Sequence, residues 1–150
     1  MRIIDVLLGE HGYISMALDL TEARLGPKAD LAEVRCWSRV LDEQLTAHSD
    51  LEDELLFGEL DPKLAAEIQE LRKDHLRIER AFAGVIAAKN VDAALAELRK
   101  AIELVRRHLA KEERVLFPAA LQVLSDEELR IAGAKWAVLR GVFVPELVRA

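Results

Sequence analysis

Four stretches of this chain repeat their apolar residues at intervals of three and four, and each carries one histidine on that stripe. The first stripe is Ile4, Leu7, His11, Ile14, Leu18, Thr21 and Leu25; the second is Leu31, Val34, Ser38, Leu41, Leu45, His48, Glu52 and Leu55. The third runs through Leu64, Ile68, Leu71, His75, Ile78, Phe82 and Val85, and the fourth through Val91, Ala94, Leu98, Ala101, Val105, His108, Glu112 and Val115. Such spacing puts each series on one face of an α-helix, whereas a half-buried strand would alternate by two. One-faced helices joined by short connections bury those faces against one another. The pattern therefore predicts an all-α fold, an up-down-up-down four-helix bundle.

Punctuation between the stripes agrees. Gly26-Pro27 ends the first helix, and Asp30 is the expected N-cap of the second, with Glu33 completing a capping-box-like pair. Gly58 is the expected C′ residue of the second helix, and Asp61-Pro62 the N-cap and first turn of the third. The third stripe runs out near Lys89-Asn90, and Pro118 should end or kink the fourth helix by restricting Phe117. Beyond the bundle, Ser125 precedes Asp126, Glu127 and Glu128 as an N-cap with an acidic first turn, followed by apolar Ile131, Trp136, Leu139 and Phe143 up to Pro145. The expected division is thus a bundle over residues 1–120 and a C-terminal helical extension over 121–150, packed on the outside or serving equally as a homodimer contact.

Composition removes several function classes. The 150 residues carry a net charge of −6, which disfavours the phosphate backbone of nucleic acids. No apolar run approaches the roughly 20 residues that span a bilayer, and Lys135, Arg140 and Arg149 are too scattered for a membrane-binding face. The lone Cys36 cannot form an internal disulfide and is expected as a small buried residue on a helix. With no recognisable secretory leader in the first residues, a cytoplasmic location is expected.

The histidines repay counting. His11 lies 15 positions before Gly26 and His48 lies 18 after Asp30; the corresponding distances are 10 and 13 around the second turn, and 14 and 17 around the third. Each pair differs by three residues, about one turn of helix, so all four imidazoles should face inward at one level. His11 and His75 are 64 apart and His48 and His108 are 60 apart, so the chain is two copies of one αα-hairpin about an approximate two-fold axis. Each copy ends in H-x-x-x-E-[DE]-x-[LV]-L-F, His48 to Phe57 and His108 to Phe117, which sets His and Glu on one helical face.

A single histidine on an apolar face is ordinarily a satisfied core residue. Four of them with two carboxylates are different, because burying such groups without partners costs several kcal/mol per charged group, comparable with the stability of a whole domain. Bound metal removes that cost. Six N/O ligands without thiolate exceed one tetrahedral ion, so His11, His48, Glu52, His75, His108 and Glu112 imply two ions, each with two histidines, bridged by the glutamates and by an oxo or hydroxo group. Imidazole and carboxylate together suit iron, with manganese or zinc as substitutes. The Glu-x-x-His pairs of another di-iron bundle class and the His-Glu-x-x-His of zinc proteases are both absent.

At these residues the sequence resembles the hemerythrin-like, or HHE, cation-binding domain family, over roughly residues 1–120. The resemblance implies a non-haem di-iron centre in a four-helix bundle, with those six residues as ligands. It departs from the oxygen-carrying members, which have a fifth histidine one turn after the helix-three histidine, where this chain has Glu79. Glu79 is open to three roles: ligand, partner to a ligand, or solvated charge. The set looks more like family members linked to nitric oxide, peroxide and iron-sulfur-cluster repair. The expected function is to bind or reduce a small oxidant, oxygen, nitric oxide or peroxide, with electrons from a separate donor. The alternative is an iron, oxygen or redox-sensing module, or an iron reservoir, without turnover.

Around the six, Glu10, Asp74, Glu54 and Glu113 are expected to be mostly solvated, the other role open to them being a partner for a metal-bound histidine. Tyr13 should point away from His11. Ile14, Leu18, Leu45, Leu55, Ile78, Phe82 and Val115 are expected to line a dry pocket around the open positions.

Overall fold

The computed structural model describes residues 1–26 and 28–142, except for the side chains of Asp61 and Pro62. Among these residues the fold is entirely helical. The helices are α1 (Ile3–Arg24), α2 (Leu31–Glu52), α3 (Gly58–Ala87), α4 (Val91–Lys111), α5 (Phe117–Val123) and α6 (Asp126–Leu139). Two π turns interrupt them, Asp53–Phe57 after α2 and Glu112–Leu116 after α4. Helix α1 packs on α2 and α4, α3 packs on the same two, and α6 lies along α1. None of the described helices is long and apolar enough to cross a membrane.

Side chains cap several of the helices, Asp30 and Ser125 as expected and Asn90 in addition. The Asp30 carboxylate accepts from the Glu33 N–H at 2.8 Å, and Asn90 caps α4 through the Ala93 N–H at 2.9 Å. Ser125 accepts from the Glu128 N–H while the Glu128 carboxylate accepts from the Ser125 N–H, a complete capping box at the start of α6. Glu33 forms no such box, because its carboxylate pairs with Arg24 instead. Helix α1 stops at Arg24, just before Gly26; Pro27 lies outside the described residues.

The connection between the second and third stripes differs from expectation. Gly58 is an ordinary helical residue at φ −57° and ψ −39°, not a left-handed terminator, and the backbone stays helical through positions 61 and 62. The break comes at Leu64, whose φ of −132° and ψ of 38° kink α3. Pro118 likewise does not end its helix: Phe117 keeps helical dihedrals and α5 continues to Val123, because the π turn before it carries the change of path. Cys36 is exposed rather than buried, since it stands two residues from each of the buried Val34 and Ser38 and so on the opposite face. On α6 the buried residues are Leu129, Ala132, Gly133 and Ala137, while Ile131 and Leu139 are exposed; Phe143 and Pro145 lie outside the described residues.

The apolar core is divided in two. One cluster joins Ile3, Leu7, Leu56, Phe57, Ile68, Leu71, Leu116 and Phe117 with Leu129 and Ala132 of α6. The other joins Ile14, Leu18, Val34, Leu41, Leu45, Ile78, Phe82, Leu98 and Val105. Along α1, His11 falls between Leu7 of one cluster and Ile14 of the other, and along α3, His75 falls between Leu71 and Ile78. The layer between the clusters is polar.

Candidate metal centre

All six sequence-predicted residues meet in that layer. His11, His48, Glu52, His108 and Glu112 are buried, and only His75 is partly open to solvent. Their ligand atoms form two groups, His11, His48, Glu52 and Glu112 in one and Glu52, His75, His108 and Glu112 in the other, each spanning no more than 4.8 Å. The two glutamates belong to both groups.

Apart from the 2.9 Å contact of His75 Nε2 with His108 Nε2, the distances within the layer suit ions better than hydrogen bonds. His11 Nε2 lies 3.4 Å from Glu112 Oε2 and 3.9 Å from Glu52 Oε1, and His48 Nε2 lies 3.4 Å from Glu52 Oε1. His75 Nε2 is 3.7 Å from Glu52 Oε2, and His108 Nε2 is 3.3 Å from Glu112 Oε1. These separations exceed good N–H···O distances, yet two ligands each about 2.1 Å from one ion stand roughly 3–4 Å apart. His11 Nε2, His48 Nε2 and all four carboxylate oxygens are buried without a hydrogen-bond partner. Native interiors tolerate few such groups, so a convergent set of them fits cations well.

Charges within the cluster are strongly coupled. Burial and the charge of Glu52 raise Glu112 to about 8, whereas His48 and His11 overcome burial to hold Glu52 below the ordinary carboxylate range. Burial opposes charge on His11, but Glu112 and Glu52 outweigh it and hold His11 at about 9. Burial likewise opposes charge on His48, and Glu52 and Glu10 carry it to about 10. The other pair goes the opposite way: burial and the neighbouring His75 push His108 down to about 3, and burial lowers His75.

That contrast has a structural source. His11 Nδ1–H donates to Glu113 at 2.9 Å and His48 Nδ1–H to Glu10 at 2.7 Å, so two of the four flanking carboxylates back a histidine. In the sequence repeat, Asp74 and Asp53 stand where Glu10 and Glu113 do, each one methylene shorter. Asp53 pairs with Arg72, and Asp74 with Arg77 and Lys111. His108 Nδ1 is consequently buried without a hydrogen-bond partner. Glu79 is exposed and belongs to neither group; Tyr13 points outward, its hydroxyl accepting from Gln44.

Sequence reasoning missed other participants. Phe57 stacks on His75 and Phe117 lies against His11, at ring separations of 5.9 and 5.2 Å. Trp136 of α6 and Arg140 at its C-terminal cap both bond Glu10. The aromatic pair had a signal, since both phenylalanines close the repeated motif. Trp136 and Arg140 had none, because contact across so long a stretch of chain leaves no spacing to read.

A cavity of about 530 Å³ opens onto His75, His108 and His48. Of the seven apolar residues expected to line it, Leu45 and Ile78 do so; Val115 is exposed on the outer surface. The rim is polar and mainly acidic, with Asp42, Asp50, Asp53 and Glu79 alongside Arg72. Burial and the Glu79 charge raise Asp42, as expected for crowded carboxylates.

Comparison with curated proteins found no match, and neither did comparison with solved structures. Comparison with protein families found one over residues 2–120, described as the hemerythrin HHE cation binding domain, a span that includes all six histidine and glutamate residues of the polar layer. With four-fifths of its length so matched and a buried His/Glu cluster able to hold cations, this chain belongs to the hemerythrin HHE cation-binding domain family.

Proposed function

We propose that this protein is a non-haem di-iron protein that binds or reduces a small oxidant: oxygen, nitric oxide or peroxide. One observation carries the reading: two groups of His and Glu ligand atoms at ligand–ligand separation, sharing Glu52 and Glu112, whose four carboxylate oxygens are buried without a hydrogen-bond partner. In it, His11 and His48 hold one ion, His75 and His108 the other, and the glutamates span both, within an up-down-up-down bundle of residues 1–120 that carries 121–150 on its flank. Iron held there would supply reversible ligand binding and electron transfer to the oxidant, and manganese or zinc could take its place.

The chain's own residues shape what arrives. The acidic rim favours entry of cations and disfavours anionic substrates, while Leu45 and Ile78 leave a passage suited to small uncharged molecules. Glu10 and Glu113 fix the rings of His48 and His11 so that Nε2 faces the centre. Phe57 and Phe117 cover His75 and His11 and exclude water from those faces. A separate electron donor and a cytoplasmic setting belong to the same reading.

The test is metal analysis after anaerobic iron loading, followed by visible spectroscopy on adding oxygen, nitric oxide or peroxide in turn. Two irons per chain, one for each group, and a spectral change with at least one oxidant are expected. Substoichiometric iron with an unresponsive spectrum refutes the reading. The contact between α6 and Glu10 favours a second reading, a sensor or iron reservoir without turnover, for which ligand addition changes the protein's packing but consumes no oxidant.

A further inference from the structure

The segment beyond the family-matched residues reaches the metal centre through one carboxylate. Trp136 donates its Nε1–H to Glu10 Oε1 at 2.9 Å, and Arg140 donates to the same oxygen through Nε at 3.0 Å, with its Nη2 2.9 Å away in an ion pair. The other oxygen, Oε2, accepts from His48 Nδ1 at 2.7 Å. His48 Nε2 then faces Glu52 with no partner of its own. The path from α6 to the metal position is thus two side chains long.

Helix α6 is held in register for this contact. Gly133 packs so closely on the N-terminal backbone that a Cβ there would stand 2.5 Å from the Met1 carbonyl oxygen. Leu129 and Ala132 join the core cluster of Ile3, Ile4 and Leu7, and the capping box at Ser125 starts the helix. Trp136 and Arg140 follow on the next turns and meet Glu10 on α1.

We propose that α6 is a working part of the metal centre, with Trp136 and Arg140 as positioning residues that hold Glu10 on His48, so that ion binding and docking of α6 strengthen each other. The proposal rests on the metal-binding reading above. A hydrogen bond at the far ring nitrogen fixes the tautomer and aim of a metal-binding imidazole, and losing it typically costs 10–100-fold in affinity. Because coupling is reciprocal, an ion that fixes His48 must also favour the docked α6. The His75/His108 half has no such brace, since Asp74 is paired with Arg77 and Lys111, so it serves as an internal control.

The experiment is calorimetric titration of Zn²⁺ into the metal-free full chain, for the wild type, Trp136→Phe, Arg140→Ala, Glu10→Gln and the Trp136→Phe/Glu10→Gln double variant. Glu10→Gln should weaken one of the two ions by about 10–100-fold. Trp136→Phe and Arg140→Ala should each weaken that same ion by about threefold to tenfold. In the Glu10→Gln background Trp136→Phe should add nothing, because the path is already cut; a merely structural role would add its full effect. Amide hydrogen exchange in α6 should slow on Zn²⁺ binding in the wild type and not in Glu10→Gln. Wild-type affinity for both ions in Trp136→Phe and Arg140→Ala, or an undiminished Trp136→Phe effect in the double variant, overturns the coupling alone. A wild type that takes up no Zn²⁺ and no iron overturns the metal-binding reading as well.

Discussion

Glu112→Gln should make the metal-free protein more stable at neutral pH while impairing its uptake of metal. The folded chain raises Glu112 from 4.5 to about 8, through burial and the charge of Glu52. A group whose folded pKa lies above its unfolded value contributes stability that is complete below the unfolded value and is lost as pH rises through the folded one. The loss starts near pH 4.5, and by pH 7 it spans 2.5 units, worth about 3 kcal/mol at roughly 1.4 kcal/mol per unit. Glutamine matches the shape of the protonated acid and never ionises, so the variant escapes this loss. Its melting temperature at pH 7 should exceed that of the wild type by roughly 6–12 °C, with the two converging near pH 4.5. Urea denaturation in excess chelator, at pH 4.5, 6 and 7, measures the difference directly. Equal stability at pH 7, or a gain at pH 4.5 as large as that at pH 7, refutes the reasoning. Excess Zn²⁺ should reverse the order, since free metal at about 1,000 times its Kd adds roughly 4 kcal/mol to the wild type, and the amide is a poor bridging ligand.

Three further outcomes follow from the same geometry. His48→Ala and His108→Ala should each lose one of two bound ions by elemental analysis, whereas Glu79→Gln, altering an exposed side chain outside both groups, should retain both. Leu116→Ala should cost about 2–5 kcal/mol in urea denaturation and Val115→Ala less than about 0.5, because Leu116 is buried and Val115 is 52 % exposed. Gly133→Ala should loosen α6 from α1, seen as faster amide exchange in α6 at unchanged exchange in α2 and α4, since the added Cβ meets backbone that cannot swing aside.

Much of the fold and the centre could be read from periodicity, because both depend on which face of a helix a residue occupies. The His11, His48, His75 and His108 layer followed from counting to the turns, and the Asp30 and Ser125 caps from residue type. The count succeeded even though the α2–α3 connection was misplaced: the chain runs helically past Gly58 to a kink at Leu64, and a displacement of a few residues alters height by only about one turn. What could not be read depended on chain crossing to chain. Glu10 and Glu113 look like any exposed acid beside a motif until α1, α2 and α4 are assembled, and their shorter counterparts Asp74 and Asp53 are diverted to cations by neighbours that no spacing announces.

Val115 failed for a different reason, and the reason explains the motif. In an α-helix, Phe117 stands five residues and about 140° round from Glu112, so it could not cover the layer that Glu112 enters. A π turn spends an extra residue per turn and brings Phe117 back beneath the glutamate, and the same extra residue carries Val115 outward and Leu116 inward. The first motif also winds Asp53–Phe57 as a π turn directly after Glu52, although Leu55, the counterpart of Val115, stays buried. Each phenylalanine then lies on the histidine of the opposite half, Phe57 on His75 and Phe117 on His11. A π turn is a poorer arrangement of backbone bonds than an α turn, so its presence at both glutamates calls for a compensating gain. The gain is closure: each half supplies the aromatic cover over the other half's imidazole. The repeated Leu-Phe ending is therefore as much a part of the centre as the histidine and glutamate that begin it.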